Sequence, residues 1–285
     1  MSRTVYVNGE YLPEEHAKIS VFDRGFLMAD AVYEVTSVLD GKLCDYPGHV
    51  ARLHRSLGEL KMRAPVSDDE LLEVHRNLVA RNSLDEGVVY LQVTRGAADR
   101  DFAWPKDAMP GIVLFTQEKA LEESGQASRG IRVVTVPDLR WGRRDIKTVQ
   151  LLYPSLAKME AKSRGVDDAW MLDPDGFVTE GTSNNAYIVT RQGTIVTRHK
   201  STDILHGITR AAVLELAEEA QMTIEERPFS PEEAVQASEA FITAASTFVC
   251  PVVEIDGSPI GEGVPGPVAR RLREIYLAKA RETAI

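Results

Sequence analysis

The sequence predicts an α+β protein with two domains. Short alternating segments separated by Asn-Gly and Asp-Gly turns predict antiparallel strands. Runs with apolar residues every three or four positions predict helices that pack on those strands. A chain of 285 residues with 44% hydrophobic content can bury two cores.

The first domain is expected to be a small α+β unit over residues 1–118. It opens with a hairpin, "TVYVNGEYL", that turns at Asn8-Gly9, and "AVYEVTSVLDGKL" alternates about a second turn at Asp40-Gly41. Ser67, with Glu70 three residues later, caps a helix that follows. The segments "VVYLQVTRG" and "GIVLFTQ" then have the apolar character of buried strands. A further helix is marked by apolar residues at Val50, Leu53, Leu57 and Leu60.

We assign residues 119–130 to an interdomain linker and residues 131–285 to a larger α+β domain. The linker is rich in small and polar residues and has no strong periodicity. In the larger domain we expect an antiparallel meander and a helix that starts near Val149. A later helix is capped by Ser230, with proline at its first position. The predicted strands are 131–136, 169–172, 177–179, 185–189 and 194–197, and another helix presents Ile208, Ala212, Val213, Leu216, Ala217 and Ala220 on one face.

Charge and cysteine content argue against several classes of function. A net charge of -10 and a pI near 5.2 disfavour nucleic-acid binding, which needs clustered Lys and Arg. Cys44 and Cys250 have no paired spacing, so we expect neither a disulfide framework nor a metal site. The amino terminus lacks the apolar core of a signal peptide, and "AFITAASTFVCPVV" is too short to span a bilayer. We therefore expect a cytoplasmic protein with no membrane partner.

The stretch "RRDIKT" places Lys147 directly before an apolar run, "VQLLYPSLAKMEA". Most lysines in such a position pack the alkyl stem and extend the ammonium into water. The alternative is that partial burial beside Arg143 or Arg144 favours the neutral amine that a Schiff base requires. A lysine that holds an aldehyde cofactor needs an acid opposite a pyridine nitrogen and donors around a phosphate.

Candidates for both companions occur elsewhere in the chain. Glu180, in "FVTEGTSNN", follows a short strand and is a candidate acid, although most glutamates are solvated. Arg52 and the turn "LHGITR" are candidates for the phosphate. In that turn, Gly207 would let the backbone bend, and Ile208 and Thr209 would begin a helix whose free amides attract anions.

Six motifs in order, "HVARL", "VTRG", "DIK", "TEGTSNN", "GITR" and "PVVEIDG", resemble the landmarks of the fold-type IV pyridoxal-phosphate enzymes over nearly the whole chain. Within that group, "DRGFLMADAVYEV", "YLQVTRGAADR", "LRWGRRDIK" and "VTEGTSNN" are most similar to the D-amino-acid transaminases. The resemblance implies transamination between a D-amino acid and a 2-oxo acid, 2-oxoglutarate or pyruvate, with pyridoxal 5'-phosphate held as a Schiff base. It also implies a homodimer.

The resemblance assigns roles to individual residues. Lys147 becomes the Schiff-base lysine and the acid and base of the proton shift, and Glu180 becomes the partner of the pyridine nitrogen. The rest of the implied cofactor site is Arg52, Leu205, Ile208, Thr209, Ala245 and Ser246. The implied substrate-binding residues are Tyr33, Val35, Arg100, Phe102 and Ser183, with Arg100 contributed by the other subunit.

Two positions depart from the family pattern. Phe102 stands where the family has a histidine that helps hold the substrate carboxylate. In "TAAST", Ala244 and Ala245 replace residues that usually offer a hydroxyl to the phosphate, so backbone amides, Ser246 or Thr247 would have to compensate. An aromatic residue at position 102 could favour bulkier or carboxylate-free substrates.

Other activities of the same fold remain open from the sequence. They are an L-branched-chain transaminase, which the Tyr33-Glu34-Val35 stretch disfavours, an (R)-amine transaminase and an aminodeoxychorismate lyase. A non-catalytic binding protein is a further alternative. The intact set of lysine, acid and phosphate residues argues against it.

Overall fold

The computed structural model describes residues 2–285 and divides them into two compact units. Unit 1 contains the residues up to Ala120, together with 146–150 and Arg281–Ile285, and unit 2 contains Leu121–Asp145 and Leu151–Ala280. Both units mix helices with a large sheet, as expected for the predicted fold class. Residues 146–150 lie in unit 1, although in sequence they follow the first strand of unit 2.

Unit 1 is built on a six-stranded antiparallel sheet in the order β2-β1-β6-β5-β3-β4. Its strands are β1 (Thr4–Val7), β2 (Glu10–Pro13), β3 (Ala31–Leu39), β4 (Lys42–Leu43), β5 (Gly87–Thr94) and β6 (Gly111–Glu118). Its helices are α1 (Arg24–Met28), α2 (Tyr46–Glu59) and α3 (Asp68–Arg81), and a 3-10 turn covers Glu14–His16. Helix α2 packs on β3, and α3 packs near β1 and β6.

The predicted turns and cap of unit 1 are confirmed. Asn8 and Gly9 both have positive φ, 49° and 102°, as do Asp40 and Gly41, at 51° and 71°. These values are the ones that a tight hairpin with the twist of its strands requires. At the start of α3, the Ser67 hydroxyl accepts a hydrogen bond from the Glu70 amide at 3.2 Å.

Unit 2 has a nine-stranded mixed sheet in the order β12-β11-β10-β13-β14-β7-β8-β9, with β15 paired to β14. Its strands are β7 (Ile131–Pro137), β8 (Asp168–Leu172), β9 (Val178–Gly181), β10 (Asn185–Val189), β11 (Ile195–Thr197), β12 (Ile224–Glu226), β13 (Glu239–Ala244), β14 (Phe248–Ile255) and β15 (Ser258–Pro259). Its helices are α4 (Gly125–Arg129), α5 (Leu152–Ser163), α6 (Ile208–Glu219), α7 (Pro231–Gln236) and α8 (Pro267–Thr283), whose last residues are grouped with unit 1. As predicted, the Ser230 hydroxyl caps α7.

The expected antiparallel meander is wrong for part of this sheet. Strands β7 and β8 pair in parallel, as do β14 with β7 and β11 with β12. Helix α5 connects β7 to β8, and a crossover helix of this kind returns the chain in the same direction. Most strand pairs are nevertheless antiparallel, and the core beneath them centres on Trp170 and Phe229, whose rings meet edge to face at 5.8 Å.

Candidate functional site

Lys147 lies in a short extended segment of unit 1 beside β3. The Tyr33 amide donates to the Lys147 carbonyl at 3.0 Å, and the Val149 amide donates to the Ala31 carbonyl at 3.2 Å. Because these backbone groups pair with a strand, residue 149 cannot begin a helix. The predicted start near Val149 is therefore wrong, and α5 begins at Leu152.

The strand-like pairing sets the direction of the lysine side chain. Val32 lies opposite Thr148, so Tyr33 and Lys147 are cross-strand neighbours on the same face. The ammonium nitrogen is 4.2 Å from the centre of the Tyr33 ring. Ser56, on α2, accepts a 3.5 Å hydrogen bond from the Lys147 backbone amide. The half-buried amine is thus held over an aromatic face.

Tyr33 packs in a row of stacked aromatic rings. It stacks on Tyr90 at 5.6 Å, and Tyr90 stacks on Phe115 at 4.8 Å, so neighbouring strands fix the plane of each ring. Val35 pairs in register with Tyr90 and shares this half-buried face. Burial raises the pKa of the Tyr90 hydroxyl to about 12, and this hydroxyl donates to Gln92.

Arg52 belongs to a buried ion cluster on the other face of β3. Its guanidinium forms a forked pair with the Glu34 carboxylate at 2.8 and 2.7 Å, and His49 contacts the same carboxylate at 2.8 Å. Strand alternation directs Glu34 away from the face that carries Tyr33. Burial opposes ionisation of Glu34, but the charge and hydrogen bonds of Arg52, aided by His49, lower its pKa to about 2.

Arg100 and Phe102 lie on an exposed loop of unit 1. The Arg100 guanidinium is 5.5 Å from the centre of the Phe102 ring, which is 79% exposed. The loop is anchored by Arg24, which donates to the Asp101 carbonyl at 2.6 Å and pairs with Asp30 at 2.8 Å. Arg100 and Phe102, the two candidate substrate-binding residues, therefore lie on an exposed loop that the buried Arg24 holds in place.

In unit 2, Glu180 is buried at the end of β9 and is surrounded by donors. Arg140 donates to one carboxylate oxygen at 2.5 Å, while the Asn185 amide and the Leu205 backbone amide donate to the other at 3.0 and 3.1 Å. Burial raises the pKa of Glu180 above its ordinary value, and the attraction of Arg140 opposes that rise. Burying a carboxylate costs free energy even when several donors satisfy it, so this arrangement favours a functional role for Glu180.

The start of α6 lies beside this cluster. Gly207, the residue before the helix, has an ordinary φ of −63°, so the change from extended to helical backbone at this point does not use the conformational freedom of glycine. Glycine is required there for close approach, because a Cβ atom would come within 2.2 Å of the Asn185 side-chain oxygen. Ile208 and the buried Thr209 form the first turn, and no side chain caps their amides.

The loop between β13 and β14 belongs to the same edge of the sheet. Asn185 pairs in register with Thr243, and Ala245 and Ser246 follow directly after β13 ends. The Thr247 hydroxyl in this loop is buried without a hydrogen-bond partner, although such groups are nearly always satisfied. Ser183, in the turn between β9 and β10, is exposed.

The arginines beside Lys147 in sequence are occupied elsewhere in unit 2. Arg143 pairs with Asp145 at 2.9 Å, and Arg144 pairs with Asp203 at 3.3 Å. These acids balance the charges that were expected to favour a neutral lysine.

Sequence reasoning missed Arg140 and Asn185, the two side chains that hold Glu180. Both lie inside motifs that carry the family resemblance, "LRWGRRDIK" and "VTEGTSNN", which was the available signal. Within residues 2–285, no cluster of His, Cys, Asp or Glu is arranged to hold a metal ion, and no helix is long and apolar enough to cross a membrane.

Comparison with known proteins identifies relatives over almost the whole chain. The family model described as amino-transferase class IV matches residues 31–255. The D-alanine aminotransferase of Bacillus licheniformis is 38% identical over 269 residues, 94% of each chain, and that of Staphylococcus aureus (strain MSSA476) is 36% identical over 95% of each. Among solved structures, a T.th. branched-chain amino acid aminotransferase with pyridoxamine 5'-phosphate aligns with a TM-score of 0.89 and 29% identity, covering 98% of this chain and 94% of the other.

Proposed function

Because the chain belongs to the class IV aminotransferase family, we propose that it transfers an amino group between a D-amino acid and a 2-oxo acid, 2-oxoglutarate or pyruvate, with pyridoxal 5'-phosphate as cofactor. The observation that carries the choice of substrate is the 38% identity to a D-alanine aminotransferase over 94% of both chains. The matched branched-chain structure is only 29% identical, although its backbone is very similar.

The residues of each unit fit this cofactor. Glu180 offers a buried carboxylate suited to a pyridine nitrogen, and the uncapped amides of Ile208 and Thr209 suit a phosphate. The unpartnered Thr247 hydroxyl and the adjacent Ser246 provide donors in the loop where alanines replace the usual hydroxyl residues. We assign Arg52, Leu205 and Ala245 to the remainder of the cofactor site.

When bound, the cofactor accepts the electron pair that remains on the substrate Cα after proton loss. Lys147 would hold the cofactor through its Nζ atom, and the same nitrogen would act as the base and acid that moves the proton at the substrate Cα. The aromatic face of Tyr33, 4.2 Å from this nitrogen, limits where the amine can point. Glu180 stabilises positive charge at the ring nitrogen.

Tyr33 and Arg100 bind the substrate carboxylate, with Val35 and Ser183 beside the substrate side chain. In this proposal each active site receives Arg100 from the other subunit of a homodimer. Phe102 cannot replace the hydrogen bond of the family histidine, but its ring contacts the Arg100 guanidinium. The carboxylate therefore depends more heavily on Arg100 than it does in family members with both residues.

Two buried free thiols, Cys44 and Cys250, are consistent with a reducing compartment, and we place the enzyme in the cytoplasm. A second candidate activity, transamination of L-branched-chain amino acids, is favoured by the structural match at a TM-score of 0.89.

A substrate panel tests the proposal and separates it from the alternatives. D-amino acids, L-amino acids and (R)-amines are each assayed with 2-oxoglutarate and with pyruvate as acceptor. We expect amino transfer from D-amino acids that requires the 2-oxo acid. Faster turnover of L-leucine or L-valine would favour the branched-chain activity, and pyruvate release from aminodeoxychorismate would indicate the lyase.

A further inference from the structure

Arg140 joins two buried carboxylates in unit 2. One nitrogen donates to Glu180 at 2.5 Å, while two others form a fork with Asp138 at 2.9 and 2.7 Å. The arginine side chain is 12% exposed, and the acid side chains are 0% and 4% exposed for Asp138 and Glu180. A guanidinium that binds two carboxylates is held in one orientation, because its planar set of donors matches carboxylate geometry.

The groups around Asp138 hold this arrangement in place. The Thr179 hydroxyl donates to Asp138 at 2.7 Å, and Arg144 approaches the same acid at 3.4 Å. Arg144 also pairs with Asp203, at 3.3 Å. Tyr153, from α5, donates its hydroxyl to the Pro137 carbonyl, and its raised pKa keeps it neutral. Arg140 is therefore the one cation in direct contact with Glu180 among the described residues.

A fully buried glutamate without a cation nearby would take up a proton. Burial disfavours the charged carboxylate, and buried glutamates can remain neutral at neutral pH. If Glu180 carried a proton, the protonated oxygen would be a hydrogen-bond donor. That oxygen could therefore not accept a hydrogen bond from a protonated ring nitrogen. Asn185 and the Leu205 amide orient Glu180, but neither carries a charge.

The geometry points to Arg140 as a positioning residue that keeps Glu180 ionised and correctly oriented toward the ring nitrogen of pyridoxal 5'-phosphate. This inference rests on the proposed function, since Glu180 must be the partner of that nitrogen. Arg140 acts through Glu180, and its contribution is the protonation state of the ring rather than contact with the substrate.

The test measures the protonation of the ring nitrogen directly. Purified protein is loaded with cofactor labelled with ¹⁵N in the ring, and the nitrogen chemical shift is recorded at neutral pH. Arg140→Gln and Arg140→Met remove the charge with side chains of similar length, and Arg140→Lys keeps it. We expect the wild type and Arg140→Lys to give the protonated shift, and both neutral variants to move toward the shift of neutral pyridine.

The rate of amino transfer should separate the neutral Arg140 variants from Arg140→Lys in the same way. The amino-transfer half-reaction should slow at least about tenfold in the neutral variants and change by less than about threefold in Arg140→Lys. A purely structural role would lower the melting temperature of all three variants without moving the nitrogen signal. If only Arg140→Lys folds, the inference requires that it retain the protonated shift, and an unprotonated ring in that variant overturns it.

Glu180→Gln separates failure of this inference from failure of the proposed function. If Glu180→Gln shifts the ring signal but neither neutral Arg140 variant does, Glu180 is the partner and the role of Arg140 is wrong. If Glu180→Gln leaves the signal unchanged, Glu180 is not the partner of the ring nitrogen, and its place in the proposed cofactor site is wrong.

Discussion

Replacing Glu34 with glutamine tests the buried ion cluster that holds Arg52. The side chain keeps its size but loses the charge that faces Arg52 and His49 at 2.7 to 2.8 Å. The pKa of Glu34 is about 2 in the folded protein, against an ordinary value of 4.5. Since each pKa unit is worth about 1.4 kcal/mol, the interaction contributes about 3 kcal/mol to the free energy of unfolding at neutral pH.

The pH dependence distinguishes this charge interaction from a packing defect. Because the folded-state pKa is the lower one, the unfolded chain binds the proton first as the pH falls. The stabilisation is therefore complete above pH 4.5 and is lost as the pH approaches 2. The stability difference between wild type and Glu34→Gln should shrink from about 3 kcal/mol at pH 7 to less than half that value near pH 3.

Urea unfolding at a series of pH values, followed by circular dichroism, provides the measurement. Glu73→Gln is the matched control, because Glu73 forms an exposed ion pair with Arg76 and its loss should cost less than about 0.5 kcal/mol. A loss below about 1 kcal/mol for Glu34→Gln at pH 7, or a difference that stays constant with pH, would refute the reasoning. Cofactor affinity should also fall in Glu34→Gln, because Arg52 loses the partner that orients it.

Three further predictions concern the candidate site. Lys147→Ala should abolish covalent attachment of the cofactor, and after borohydride reduction of the wild type, peptide mapping should find the label on Lys147; a label on Lys158 would contradict the assignment. Glu180→Gln should retain cofactor but slow proton transfer on the order of 100-fold, as measured by stopped-flow half-reactions, because the ring loses its charged partner. Arg100→Ala should raise the Michaelis constant for D-amino acids at least about tenfold and leave any turnover of an (R)-amine nearly unchanged, since only the amino acid has a carboxylate to bind. Equal losses for both substrates would instead indicate a structural role for Arg100.

Local features of this fold could be predicted from short stretches of sequence. The turns at Asn8-Gly9 and Asp40-Gly41 form because those residues tolerate positive φ, and the caps at Ser67 and Ser230 depend on hydroxyls three residues from the amides they bind. The same holds for the family resemblance, which depends on short motifs in a fixed order. The roles of Lys147 and Glu180 in catalysis stay predictions that the experiments above address.

Long-range pairing was decided only by the tertiary structure. The sequence predicts a helix that starts near Val149, yet β3 offers residues 146–150 backbone partners more than 100 residues away in sequence. The parallel pairing of β7 with β8 likewise depends on how α5 packs between them. Sequence periodicity reports which face of an element is apolar, but it does not report which strand becomes its neighbour.

The surroundings of Glu180 show the same difference between what the sequence identifies and what the tertiary structure decides. The sequence identifies an acid in a motif of small polar residues, but the donors that hold it come from positions 140, 185 and 205. Gly207 is explained by a side chain that approaches from β10, whereas its own φ is one that any residue could adopt. Sequence alone determined the chemical groups and the local turns, because these depend on neighbouring residues. The folded chain decided which charges are buried together, because burial and ion pairing depend on contacts between distant segments.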